Sequence, residues 1–192
     1  MTLLLLGLLL FLGGHSIRMV APGWRTAQVA RFGELRWRAA FALVALVGLV
    51  LIVHGYGAAR LTAPLLWQPP PWTRHVAALL TLPAFVLLVA AYVPGNRIKA
   101  ALGHPMVAGV KLWAFAHLLA NGSVADLLLF GSFLAWAVVS FVTARRRDRR
   151  ADITYPAGPV ARDVATIAGG LLAWGLFAFW LHGPLIGVPP FG

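Results

Sequence analysis

The residues of this chain best suited to chemistry are its six histidines: His15, His54, His75, His104, His117 and His182. Imidazole moves protons and binds metals at physiological pH. It is costly to place in lipid unless it pairs, ligates or lines a polar cavity. A histidine inside an apolar run is therefore a candidate site residue. Helix-end histidines at headgroup depth often only anchor, a reading open for His54, His75 and His182. His104 and His117 fall in one stretch, residues 103–122, and His15 lies near the end of the first apolar run. The chain has no cysteine, which excludes disulfides, thiolate nucleophiles, Cys-ligated zinc and Cys-held iron–sulfur clusters.

Trp113, His117 and Asn121 are spaced by four, which on a helix stacks them along one face. An indole, an imidazole and an amide in one stripe would be expensive turned to lipid, so this stripe reads as a polar seam. His104 precedes His117 by thirteen residues, about 1300° of helical rotation, which leaves the two on different faces and unsuited to one ligand. Pro105 fits a first helical turn. His104 is thus a helix-start residue whose imidazole caps or hydrogen-bonds.

The elements that must position these residues are membrane helices. Of 192 residues, 60% are hydrophobic and 11% charged, against roughly 45–50% and about 25% in soluble domains. Six runs approach the ~20 apolar residues of a spanning helix: 2–20, 39–59, 74–93, 104–120, 124–144 and 164–188. They use nearly the whole length, so the chain reads as a single all-α, polytopic bundle over 1–192, with any chemistry between its helices. The net charge of +11 follows from topology rather than from nucleic-acid binding. Arg18, Arg25, Arg31, Arg36 and Arg38 separate runs one and two, Arg97 and Lys99 runs three and four, and Arg145–Arg150 with Arg162 runs five and six, while the alternate loops carry only Arg60 and Arg74. Short Lys/Arg-rich loops stay cytoplasmic, so both termini are expected outside. The opening Met-Thr-Leu-Leu-Leu-Leu-Gly lacks a basic start and a cleavage pattern and reads as a retained helix. Trp24 and Trp37, and Trp67 and Trp72, suit interfacial anchors. Pro83 predicts a bend in the third run, and the small residues around Gly169-Gly170 predict tight packing of the sixth.

The 104–122 stretch, His-Pro-Met-Val-Ala-Gly-Val-Lys-Leu-Trp-Ala-Phe-Ala-His-Leu-Leu-Ala-Asn-Gly, resembles the NnrU family of bacterial membrane proteins. So do Gly14-His15-Ser16-Ile17-Arg18 and the closing segment from Leu181-His182 to Pro189. The resemblance runs nearly end to end. It implies a protein of the bacterial inner membrane linked to denitrification and nitric oxide metabolism. The same pattern is similar to 15-cis-zeta-carotene isomerase, a haem b membrane enzyme in which the histidine of an early His-Ser pair and that of a Trp-x-x-Ala-His motif ligate haem. Those positions match His15 and His117. Ala114 stands where that relative has a cysteine, so a ligand switch through that residue is unavailable here.

This resemblance implies haem b bound through His15 and His117, with His104, Trp113 and Asn121 at the cofactor. An accessory or redox role is the first expectation. Isomerisation of a lipid-soluble polyene is the second, with a lipophilic small molecule and the bilayer as partners. A remoter likeness of His104-Pro105-x-x-x-Gly109 to membrane methyltransferases that use S-adenosylmethionine is a third. Arg145–Arg150 stands at the corresponding place, without the paired glutamates. The deduced topology puts His15 near the cytoplasmic end of its helix and His117 about 20 Å beyond His104. Lys111, expected to snorkel, draws the membrane boundary inward and reduces that mismatch. His54 with His117 or His182 is the alternative pairing.

Overall fold

The computed structural model describes residues 1–191, and these are all-α. Eight helices follow in order: α1 (Thr2–Val20), α2 (Pro22–Phe32), α3 (Glu34–Ala59), α4 (Thr73–Tyr92), α5 (Arg97–Leu102), α6 (Pro105–Ala120), α7 (Val124–Arg150) and α8 (Val160–Ile186). They divide into two compact units. The first comprises Met1–Leu66 with Ser123–Ser132, the second Trp67–Gly122 with the chain from Phe133 onward.

In the first unit α1 packs along α3 through glycines that remove the side chains between them. A Cβ on Gly7 would lie 2.6 Å from the Ile52 nitrogen, one on Gly48 2.8 Å from the Phe11 nitrogen, and one on Gly55 would run into the Leu4 backbone. Leu4, Leu8 and Ile52 are buried in the seam. With no hydrophobic effect to join helices in lipid, such backbone approach is the usual source of contact. The stretch between the first two runs, expected as a basic loop, forms α2. Pro22 starts it, and the positive φ of Gly33 breaks it from α3. None of its residues is buried. At the start of α7, Ser123 and Asp126 cap one another, and the Tyr56 hydroxyl donates to Asp126 Oδ1 at 2.6 Å.

In the second unit α4 packs on both α6 and α8. Gly109 sits against the Ala84 carbonyl and Gly170 against the Val86 backbone. Helix α4 continues through Pro83. Asn96, fully buried, ties its end: its Nδ2 donates to the Ala90 carbonyl at 2.8 Å, and its Oδ1 accepts from the Lys99 amide at 2.7 Å. Helices α7 and α8 each contain a π-helical turn, at Leu127–Gly131 and Phe177–Leu181.

Among the described residues five helices (α1, α3, α4, α7 and α8) are long and apolar enough to cross a membrane. Large apolar side chains such as Leu9, Leu79 and Leu172 are exposed on them, as helices that face lipid require. Helix α6, expected to be a sixth span, has 16 residues. That is about 24 Å at 1.5 Å per residue, short of a hydrocarbon core of about 30 Å.

Candidate functional site

His15 lies in the last turns of α1, half-buried. Its Nδ1 is 2.7 Å from the Phe11 carbonyl one turn earlier. A carbonyl only accepts, so Nδ1 carries a proton and donates it. The imidazole is held between two phenyl rings, Phe11 at 4.3 Å and Phe41 of α3 at 5.0 Å between centroids. Ser16 beside it donates to the Leu12 carbonyl.

His117 repeats this local arrangement in the second unit. Its Nδ1 is 2.9 Å from the Trp113 carbonyl, again one turn earlier, so Nδ1 again donates. The Trp113 ring lies 5.1 Å away. Asn121, at the end of α6, donates to the His117 carbonyl at 2.8 Å. The stripe read from the four-residue spacing is therefore one linked chain of contacts, and Phe133 packs edge-on against Trp113. Lys111, on the same helix and expected to snorkel, has its ammonium 4.9 Å from the Phe141 ring centroid, where the π face offsets part of the cost of its charge.

His104 is different. It occupies the N-cap position of α6 but makes no side-chain cap. Its Nε2 is instead 2.8 Å from Oδ2 of Asp148, whose side chain is 5% exposed. The Tyr155 hydroxyl donates to the same oxygen at 3.1 Å. Gly103 supplies the sharp entry with φ +73, and a Cβ there would crowd Arg145 and Tyr155 at 3.0–3.1 Å. Burial, then the bond to Asp148 and its charge, push the Tyr155 phenol above the usual tyrosine value, opposed by Arg147 and Arg145. Spacing alone named neither Asp148 nor Tyr155 as partners. The one signal was a single carboxylate amid five arginines in 145–150.

Of the remaining histidines, His54 and His75 are exposed, while His182 bonds the Val188 carbonyl through Nδ1 at 2.6 Å. Among the described residues no three His, Asp or Glu side chains assemble as a site for a bare metal ion. A porphyrin-held metal asks less of the protein, since the macrocycle fills four positions and the chain supplies only axial ligands.

A family model described as NnrU protein matches residues 3–190. The chain belongs to the NnrU family. No curated protein and no solved structure matches it. The match takes in every histidine of this NnrU chain, so each of the three environments above lies inside the family's own region.

Proposed function

We propose that this NnrU protein is a haem b protein of the bacterial cytoplasmic membrane, with both termini outside and an accessory or redox role in nitric oxide metabolism and denitrification. His15 and His117 are the residues that would hold the haem. The supporting observation is that each imidazole donates Nδ1–H to the carbonyl one turn earlier. That bond puts a proton on Nδ1, so that Nε2 would be the ligating nitrogen, and it fixes the ring, as metal-ligating histidines require. Haem bound there supplies one-electron chemistry, whose potential the apolar surroundings tune. Phe11 and Phe41 orient the His15 ring, Trp113 and Asn121 flank His117, and His104, engaged by Asp148, is a residue of the cofactor cavity.

The test is a reduced-against-oxidised visible spectrum of the purified protein after growth with ample haem precursor. The expected result is a low-spin Soret and α/β pattern, lost in His117→Ala and kept in His75→Ala. A wild-type protein without a Soret band overturns the reading.

A further inference from the structure

Helix α2 is held at both ends by spanning helices and buries none of its own residues. The glycine seam sets its depth. Leu4 meets Gly55 and Phe11 meets Gly48, so α1 and α3 run antiparallel and Val20 stands level with about residue 39. Helix α1 has 19 residues, about 28 Å at 1.5 Å per residue. That matches a hydrocarbon core of about 30 Å and puts Val20 at its boundary. Residues 34–38 of α3 extend about 8 Å farther, roughly one headgroup layer. Helix α2 joins these two levels and therefore lies in the headgroup layer.

The two sides of α2 differ. Arg25, Gln28 and Val29 are half-buried, while Trp24, Ala27 and Arg31, spaced by three and four, are exposed together on the other side. Phe32 and Leu35 are exposed as well. Apolar rings mixed with arginines at one depth suit neither water nor hydrocarbon but the interface between them. Residues 18–38 hold five arginines and one acid, Glu34, which bonds Arg38 at 2.6 Å. Among the described residues no carboxylate pairs with Arg31 or Arg36. The Arg31 guanidinium lies 5.1 Å from the Phe32 ring centroid, and the Trp24 ring packs edge-on against Trp37 at 5.7 Å. Guanidinium forks match phosphate oxygens, and the phosphate present at this depth is that of a phospholipid. The excess of positive charge selects an anionic head. We propose that α2 is an in-plane helix that binds anionic phospholipid heads of the leaflet in which α1 ends. Arg31 and Arg36 engage the phosphates, and Trp24 and Phe32 seat their rings at the hydrocarbon boundary.

The chain has no cysteine, so Ala27→Cys gives a single labelling position on the exposed side of α2. A bimane fluorophore is attached there, and the full-length protein is placed in phosphatidylcholine bilayers. The probe is phosphatidylglycerol with a nitroxide near the head of one chain, and phosphatidylcholine with the same nitroxide is the reference. Phosphatidylglycerol half-quenches the label at a mole fraction at least about tenfold lower than the reference does, and added salt narrows the gap. Arg31→Gln and Arg36→Gln each raise that mole fraction about fivefold, the scale of one basic residue beside an anionic surface. Arg60→Gln and Arg74→Gln, each removing one charge elsewhere, leave it unchanged. Equal quenching by the two lipids overturns the choice of an anionic head, and this comparison needs no arginine variant. Arginine variants that titrate like the parent, with intact helical circular dichroism, overturn the role of Arg31 and Arg36. A label that neither lipid quenches overturns the in-plane placement, and a cross-link between two copies through position 27 would then assign α2 to a dimer contact.

Discussion

The surroundings of His15 in the first unit and of His104 in the second engage the same side chain through opposite ring nitrogens. At His15 the proton is on Nδ1, given to a backbone carbonyl four residues away, and the ring borders an open, arginine-lined space. At His104 the proton faces a buried carboxylate from Nε2, and a tyrosine closes the other side of that carboxylate. The difference teaches that a histidine's partner decides its chemistry. A backbone acceptor one turn away orients the ring within its own helix, whereas a side-chain carboxylate ties it to another helix. His117 falls with His15 in this division.

The sharpest way to break the comparison is to remove Asp148. Its carboxylate is buried and holds both His104 and Tyr155, so Asp148→Ala leaves an imidazole and a phenol without their partner. The expected loss is about 3 kcal/mol, read as a lower unfolding midpoint in detergent. An unchanged midpoint would mean that the cluster does not tie the end of α7 to the start of α6. Next in size is the seam that builds the first unit. Gly55→Ala forces a methyl into the Leu4 backbone and should cost about 2 kcal/mol by overpacking. Gly57→Ala, with open space around it, should be neutral or slightly stabilising. Equal effects at both positions would refute backbone approach as the cause.

A crossed pair sharpens the contrast itself. His104→Ala should lower stability by about 1.5 kcal/mol and leave the position of the Soret band unchanged. His15→Ala gives up its ring contacts and its bond to the Phe11 carbonyl and should change the spectrum. The reverse pattern would exchange the two roles. The smallest effect expected is that of Tyr155→Phe, about 1 kcal/mol, and its pH dependence has a definite sign. The Tyr155 phenol is raised above its usual value of 10.0, chiefly by burial and then by its bond to Asp148. A raised folded value means that the contribution is fully present below about pH 10 and is lost as pH rises through the higher folded value. The stability difference between wild type and Tyr155→Phe should therefore stay constant through neutral pH and close only above pH 10.

Whatever depends on neighbours within about four residues was legible in the sequence. Apolar runs gave the all-α class and the spanning helices α1, α3, α4, α7 and α8, because burial in lipid selects on length and composition alone. The Trp113, His117 and Asn121 seam followed from helical periodicity, and its hydrogen bonds run between residues four apart. The bounds of α6 were legible too, since the run at 104–120 and Pro105 anticipated Pro105–Ala120, whereas the helical state of residues 22–32 was not, because an 11-residue surface helix leaves little trace in hydrophobicity. Tertiary structure alone decided that Asp148 would choose His104 from 44 residues away, that Tyr155 would join them, and that residues of three helices would line one pocket with His15. The physical reason is that charged and hydrogen-bonding side chains have many possible partners along a chain. Only the packing of helix faces, set here by glycines such as Gly7, Gly48 and Gly55, determines which of them come within reach.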